Sequence, residues 1–164
     1  MKDMKIEKLP KPVLLVSSIV LCQLAGVIGS LATTPAIPTW FVYLNKPTFS
    51  PPNWLFAPVW LTLYTMMGIA FYLLIVKGLK NKKKRIAAGL FLGHLVLNTL
   101  WSLVFFGLKD LGLALLVIIL LWLMIAILID LFWKIEKRAS LLLIPYFLWV
   151  SFATFLNLAL WQLN

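Results

Sequence analysis

Five runs of apolar residues recur along the chain, separated by short polar or proline-rich stretches. They cover about 13–32, 54–76, 86–107, 111–133 and 141–163, and each is long enough to cross a ~30 Å hydrocarbon core at ~1.5 Å per residue. Their apolarity is continuous rather than alternating, and they are too long for strands. Each is expected to be a helix that satisfies its own backbone hydrogen bonds, and residues 1–164 to form one all-α membrane domain, a five-helix transmembrane bundle. Three of the four connections are short. The fourth, Thr33 to Asn53, holds Pro35, Pro38, Pro47, Pro51 and Pro52 among Trp40, Phe41, Tyr43 and Phe49. A loop of this length is usually functional or disordered, and its aromatics argue against disorder. It is expected to form a structured lid over one end of the bundle, the alternative being an aromatic belt resting at the headgroups.

Composition supports the same class. Hydrophobic residues make up 63% of the 164 positions and charged residues 12%, against roughly 45–50% and about 25% in soluble domains. The net charge of +10 does not indicate nucleic acid, because the basic residues border apolar segments rather than forming one face. They report topology instead. Lys2, Lys5, Lys8 and Lys11 precede the first span. Lys77, Lys80, Lys82, Lys83, Lys84 and Arg85 follow the second, and Lys134, Lys137 and Arg138 follow the fourth. All three groups fall on one side of a five-span bundle, and the other side has only Lys46 and Lys109. The expected orientation is N-terminus cytoplasmic and C-terminus outside, in a bacterial plasma membrane. Specific binding of anionic lipid by Lys82 to Arg85 is the less favoured reading of that run. The Lys-rich start and Ser30-Leu31-Ala32 resemble a signal peptide and its cleavage site. Signal-peptide apolar regions usually run only about 7–15 residues, so a retained first span is expected.

The chemistry of common enzymes is missing. There is no phosphate-binding G-x-x-x-x-G-K-[ST] loop and no pair of carboxylates placed for acid–base work. One histidine and one cysteine, His94 and Cys22, give neither a catalytic triad nor a zinc site. No metal and no obligatory cofactor are expected. Asp130 and Asp110 lie near span ends, so the acid that coupled transport normally needs within the membrane is lacking.

Tryptophan is abundant, with eight residues. An interfacial belt accounts for Trp122 or Trp133, but others share helical faces with polar groups. His94, Asn98 and Trp101 form one stripe of the third span. Tyr146, Trp149, Ala153 and Asn157 do so in the fifth, and Trp60, Tyr64, Met67 and Phe71 in the second, beyond an expected kink at Pro58. Asn and His in hydrocarbon need partners. His94 is divided evenly between interhelical hydrogen bonding and lining a cavity, while the cavity is favoured for Asn98, Trp101, Trp149 and Ala153. Axial ligation of a haem iron by His94 is a weak signal. Gly89 and Gly93 form a G-x-x-x-G pair pointing about 120° away from the His94 stripe, suited to a dimer seam or to packing within the bundle.

Several segments carry a resemblance. Trp40 to Trp54 reads W-F-V-Y-L-N-K-P-T-F-S-P-P-N-W and Ala57 to Gly68 reads A-P-V-W-L-T-L-Y-T-M-M-G. Leu97 to Gly107 reads L-N-T-L-W-S-L-V-F-F-G, and Leu142 to Asn157 reads L-L-I-P-Y-F-L-W-V-S-F-A-T-F-L-N. In these the chain resembles the tryptophan-rich sensory protein family, also called translocator proteins or peripheral-type benzodiazepine receptors. The resemblance implies a five-helix, usually homodimeric membrane protein that binds porphyrins such as protoporphyrin IX or haem, isoquinoline carboxamides and benzodiazepine-type drugs. It implies a pocket including Trp40, Pro47, Trp54, Trp60, Asn98, Trp101, Trp149 and Ala153. It also matches Gly89 and Gly93 to the dimer seam of some members. Some bacterial members degrade protoporphyrin IX in light, and Trp60 and Trp149 match the residues for that role. The chain departs from the family at Phe41 and Thr99, where Tyr and Trp are frequent. It departs again at Leu158 to Gln162, which lacks the Tyr and Lys/Arg of the animal cholesterol motif. The leading expectation is a binding protein for flat tetrapyrroles, active in transport or sensing. The alternatives are a light-dependent porphyrin-degrading enzyme and a membrane scaffold.

Overall fold

A backbone in hydrocarbon has no water to bond, so each apolar run must close its own hydrogen bonds. In the computed structural model, which describes residues 10–79 and 81–164, the five runs are helices: α1 (Lys11–Thr39), α2 (Phe56–Ile75), α3 (Lys82–Ser102), α4 (Leu111–Trp133) and α5 (Lys137–Leu163). All five are long and apolar enough to cross a membrane, α2 and α3 with the help of the turns that adjoin them. Neighbour packing runs α1, α2, α5, α4, α3 and back to α1, a closed ring. The basic residues expected on one side stand at one end of it. Lys2, Lys5, Lys8 and Lys80 lie outside the described residues.

Local chemistry sets the helix ends. The side-chain oxygen of Asn81 accepts from the Lys83 amide at 2.8 Å to start α3, and that of Asp110 accepts from Leu113 at 2.8 Å to start α4, the usual role of a short polar residue at a helix start. Pro58 does not kink α2. It falls in the first turn, where its missing N–H has no helical acceptor to lose.

The first helix runs seven residues beyond the expected end at Ala32, through Pro35 and Pro38. The carbonyls left without helical donors by those prolines belong to the exposed Leu31 and Thr34. Nearby hydroxyls add bonds of their own, Thr33 to the Gly29 carbonyl at 3.1 Å and Thr39 to that of Pro35 at 2.6 Å. The lid is correspondingly shorter, beginning at Trp40. Its single turns Phe41–Tyr43 and Asn53–Leu55 are 3-10 helical. It is tied to the end of α5: the Asn45 amide donates to Asn164 Oδ1 at 2.9 Å, Asn164 Nδ2 returns a bond to the Asn45 carbonyl at 3.1 Å, and Asn45 Nδ2 reaches the Leu163 carbonyl at 3.2 Å.

The end of the bundle with the basic residues is solid. Phe91 stacks on Phe71 at 4.6 Å and faces Phe132 at 6.0 Å, among fully buried Met67, Leu74, Ile125 and Leu128. On the outer side α4 and α5 are joined by Trp122, whose indole N–H donates to Ser151 Oγ at 2.8 Å.

Candidate functional site

Two glycines let α1 and α2 touch in the middle of the bundle. A Cβ on Gly68 would lie 2.5 Å from the Ile19 Cα, and one on Gly26 would run into the Tyr64 ring. Toward the lid, the helices leave a cavity of about 360 Å³ bounded by α1, α2, the end of α3 and α5, within the ~300–1,000 Å³ typical of small-molecule sites. Val27 and Leu61, which line it, are themselves 54% and 61% exposed. The α1–α2 wall is therefore a single layer of side chains.

Aromatic faces form much of the interior. Trp60 stacks on Tyr64, with centroids 5.5 Å apart, and Trp101, Phe105 and Phe106 close the opposite side. Those last two come from a π-helical turn, Leu103–Leu108, that ends α3 with Lys109 in the left-handed region at φ 58°. The wider turn lets consecutive phenylalanines both border the cavity, and such turns often mark functional sites. From above, Phe41 of the lid lines it. The Lys46 ammonium sits 4.8 Å over the Phe41 ring, an attractive cation–π placement.

Below, a hydrogen-bonded floor fixes these rings. The Tyr64 hydroxyl donates to Asn98 Oδ1, and Asn98 Nδ2 donates to the Tyr146 hydroxyl at 2.9 Å. On the α3 side, the Trp101 indole N–H donates to Asn157 Oδ1 at 3.1 Å, and Asn157 Nδ2 donates to the Leu111 carbonyl at 2.9 Å. Buried polar groups left unpaired would each cost about 1–3 kcal/mol, so these asparagines hold the aromatic walls in one arrangement.

Of the residues expected at the site, Trp60, Trp101 and Ala153 border the cavity directly. Asn98 lies behind Tyr64, fully buried. Trp40 stands one layer out, edge-on to Phe105 at 5.8 Å and Phe106 at 6.4 Å. Pro47 is half-buried in the lid, its carbonyl accepting from the Ser50 amide at 3.0 Å. Trp54 is 71% exposed at the foot of α2. Trp149 stands behind Phe56, 6.0 Å away and edge-on, and its buried indole N–H meets no acceptor among the described residues. His94 does not line the cavity: it is fully buried, Nδ1 against the Phe91 carbonyl and its ring 5.8 Å from Tyr146. Among the described residues no three His, Cys, Asp or Glu side chains gather to hold a metal.

The sequence reading missed the α1 wall, where Gln23, Ser30, Thr33 and Thr34 line the cavity. The signal was available, since these polar residues recur at helical spacing on one face of an otherwise apolar span. Gly89 and Gly93 lie outside the site. A Cβ on either meets nothing within 4 Å, so nothing among the described residues packs against them there.

The comparisons with known proteins agree with this architecture. The profile of the TspO/MBR family matches residues 18–162. The tryptophan-rich protein TspO of Chlorobaculum tepidum is 41% identical over 144 residues, 88% of this chain and 91% of that one. The protein CrtK of Rhodobacter capsulatus is 36% identical over 88% of this chain and 89% of its own. The translocator protein of Bos taurus is 36% identical over 87% and 85%. The chain is an integral membrane protein and belongs to the TspO/MBR family.

Proposed function

We propose that the protein binds a flat, apolar, poorly soluble ligand of the tetrapyrrole or isoquinoline carboxamide type in the cavity beneath the lid, and serves tetrapyrrole transport or sensing. The observation that carries this reading is the aromatic lining: Trp60, Tyr64, Trp101, Phe105 and Phe106 give large ring faces, which supply contact area with little entropy to lose. Lys46 is positioned over Phe41 at the lid, suited to the carboxylates of a porphyrin whose apolar body lies below. The names of its relatives, sensory protein and translocator protein, are in keeping with sensing or transport. No resident cofactor is needed for binding; protoporphyrin IX or haem is the ligand.

The charge asymmetry supports a cytoplasmic N-terminus and an outside C-terminus, in a bacterial plasma membrane. The open faces of Gly89 and Gly93 support a homodimer in which two α3 helices approach closely. Light-dependent degradation is the second reading. Trp60 lines the cavity stacked on Tyr64, so an oxidisable pair would face a bound photosensitiser. Trp149, the other candidate for that chemistry, would act from one layer further out.

The test is a titration in the dark of detergent-purified protein with protoporphyrin IX, read by tryptophan fluorescence quenching. Saturation at one per chain, weakened at least tenfold in the Trp60→Phe/Trp101→Phe variant, is the expected result. Linear, unsaturable quenching in both proteins would mean partition into micelles and overturn the reading. Illumination of the complex then separates the second reading: several porphyrins converted per chain to one product supports it, and loss of protein tryptophan alone refutes it.

A further inference from the structure

The hydrogen-bonding groups of the cavity wall are unevenly used. Tyr64 gives its hydroxyl hydrogen to Asn98, Trp101 gives its indole N–H to Asn157, and Asn157 gives its amide to the Leu111 carbonyl. Ser30 and Thr33 donate back to the carbonyls of Val27 and Gly29 in their own helix. Gln23 completes the pattern. Its Nε2 lies 3.0 Å from the Leu61 carbonyl oxygen and 3.0 Å from Thr65 Oγ1.

Those two contacts fix which way the amide faces. A carbonyl oxygen can only accept. The Thr65 hydroxyl already gives its hydrogen to the same Leu61 carbonyl at 2.8 Å, so toward Gln23 it too can only accept. Both positions demand N–H donors, the NH₂ supplies both, and a flipped amide would set oxygen against oxygen twice. Gln23 Oε1 is left as a carbonyl that takes no hydrogen bond from the described residues, on a side chain that lines the cavity.

We infer that Gln23 is a specificity-determining residue: its Oε1 favours, among flat apolar ligands, those that carry a peripheral N–H donor such as a lactam or secondary amide over protoporphyrin IX and haem, which carry none and bind without this partner. This rests on the cavity being a ligand site, as proposed above. A ligand that brings such a donor gains a partner held in place by two bonds to α2. A ligand that brings only acceptors to that position meets lone pairs.

A matched pair of tricyclic probes tests it: phenanthridin-6(5H)-one, which has a lactam N–H, and its N-methyl derivative, which has none. Both are titrated into the detergent-purified protein and read by tryptophan quenching. The N–H lactam should bind about tenfold more tightly, the effect of one good hydrogen bond. Gln23→Leu should lose that preference, and comparing the ratio between the two proteins cancels the difference in micelle partition. Gln23→Met, unbranched and of similar length, makes the same test should the Leu variant not fold. Tyr64→Phe removes another oxygen of the cavity wall that can accept, since the Tyr64 hydroxyl gives its hydrogen to Asn98 but keeps lone pairs; the preference should survive there, and its loss would overturn the assignment to Gln23. Equal binding of the two probes by the unmodified protein, or a preference that survives in Gln23→Leu or Gln23→Met, overturns this inference alone. Saturable binding of neither probe overturns the cavity as a site for such ligands, and this inference with it.

Discussion

At the basic end of the bundle Phe71, Phe91 and Phe132 fill the space between helices with stacked rings. At the lid end Phe105 and Phe106 stand around an opening of about 360 Å³. The two ends use similar residues, and what differs is how the rings are anchored. Around Phe91 the rings of Phe71, Phe132 and His94 are packed among Met67, Leu74, Ile125 and Leu128, flexible side chains free to settle against one another until no gap remains. Around the cavity, Tyr64 and Trp101 are each held at one edge by an asparagine. A π turn redirects two phenylalanines, and the two prolines of α1 occur in its final turns. A void forfeits dispersion contacts on every atom that lines it. A hole of this size therefore persists where directional bonds resist collapse, and polar groups in this bundle serve to keep it open.

The largest effect is expected at the solid end. Phe91→Ala removes a fully buried ring stacked on another, and should cost about 3–5 kcal/mol, measured by unfolding in mild detergent. Phe106→Ala, half-buried at the edge of an existing cavity, should cost less than half as much. Equal losses would mean that the lid end is as tightly packed as the basic end. Next in size is Asn98→Leu. It strands two phenol hydroxyls in the interior and should destabilise by about 2–3 kcal/mol. It should also loosen Tyr64, so that ligand affinity falls with stability although Asn98 does not border the cavity.

Gly68→Ala tests the seam between the two ends. The added methyl would lie 2.5 Å from backbone at Ile19, which cannot move aside as a flexible side chain can. A loss of about 1–3 kcal/mol is expected. Because that contact sets the angle at which α1 and α2 part toward the lid, binding should weaken as well. Gly89→Ala, which meets nothing within 4 Å among the described residues, should not lower monomer stability and should raise it by up to about 1 kcal/mol through helix propensity, while altering self-association.

The spans were legible in the sequence, and the open end only in part. Span number and placement follow from long apolar runs between charges, since hydrocarbon permits nothing but helices there. The stripes of α2, α3 and α5 located Trp60, Trp101 and Ala153 because helical periodicity alone decides which face they share. Periodicity could not say what stands in front of a face. Trp149 shares a stripe with Ala153 yet sits behind Phe56, a residue of another helix. Prolines misled at the end of α1: in water Pro35 and Pro38 would mark a loop, whereas here the carbonyls they leave without helical donors, those of Leu31 and Thr34, belong to exposed residues of α1. The π turn left no local signature, and the polar wall of α1 went unread although its spacing was there to see.

The smallest loss of stability expected is at the lid. Asn164 pairs through one carboxamide with both backbone groups of Asn45, at 2.9 and 3.1 Å, so it acts like a short piece of β ladder joining the lid to α5. These bonds are exposed to solvent, where the two together contribute at most about 1 kcal/mol because water competes for the same groups. Asn164→Ala should therefore lower global stability by no more than that. Locally the consequence is larger in proportion, since loops open with free energies well below that of the whole fold. Faster hydrogen exchange at the amides of Leu44 to Lys46, with protection in α3 unchanged, is the expected signature. If the lid is the slow step for a bound porphyrin, its dissociation should quicken several-fold while Trp60→Phe changes affinity without that kinetic pattern. An unchanged dissociation rate despite faster lid exchange would mean that ligand leaves elsewhere, through the thin α1–α2 wall beside Val27 and Leu61.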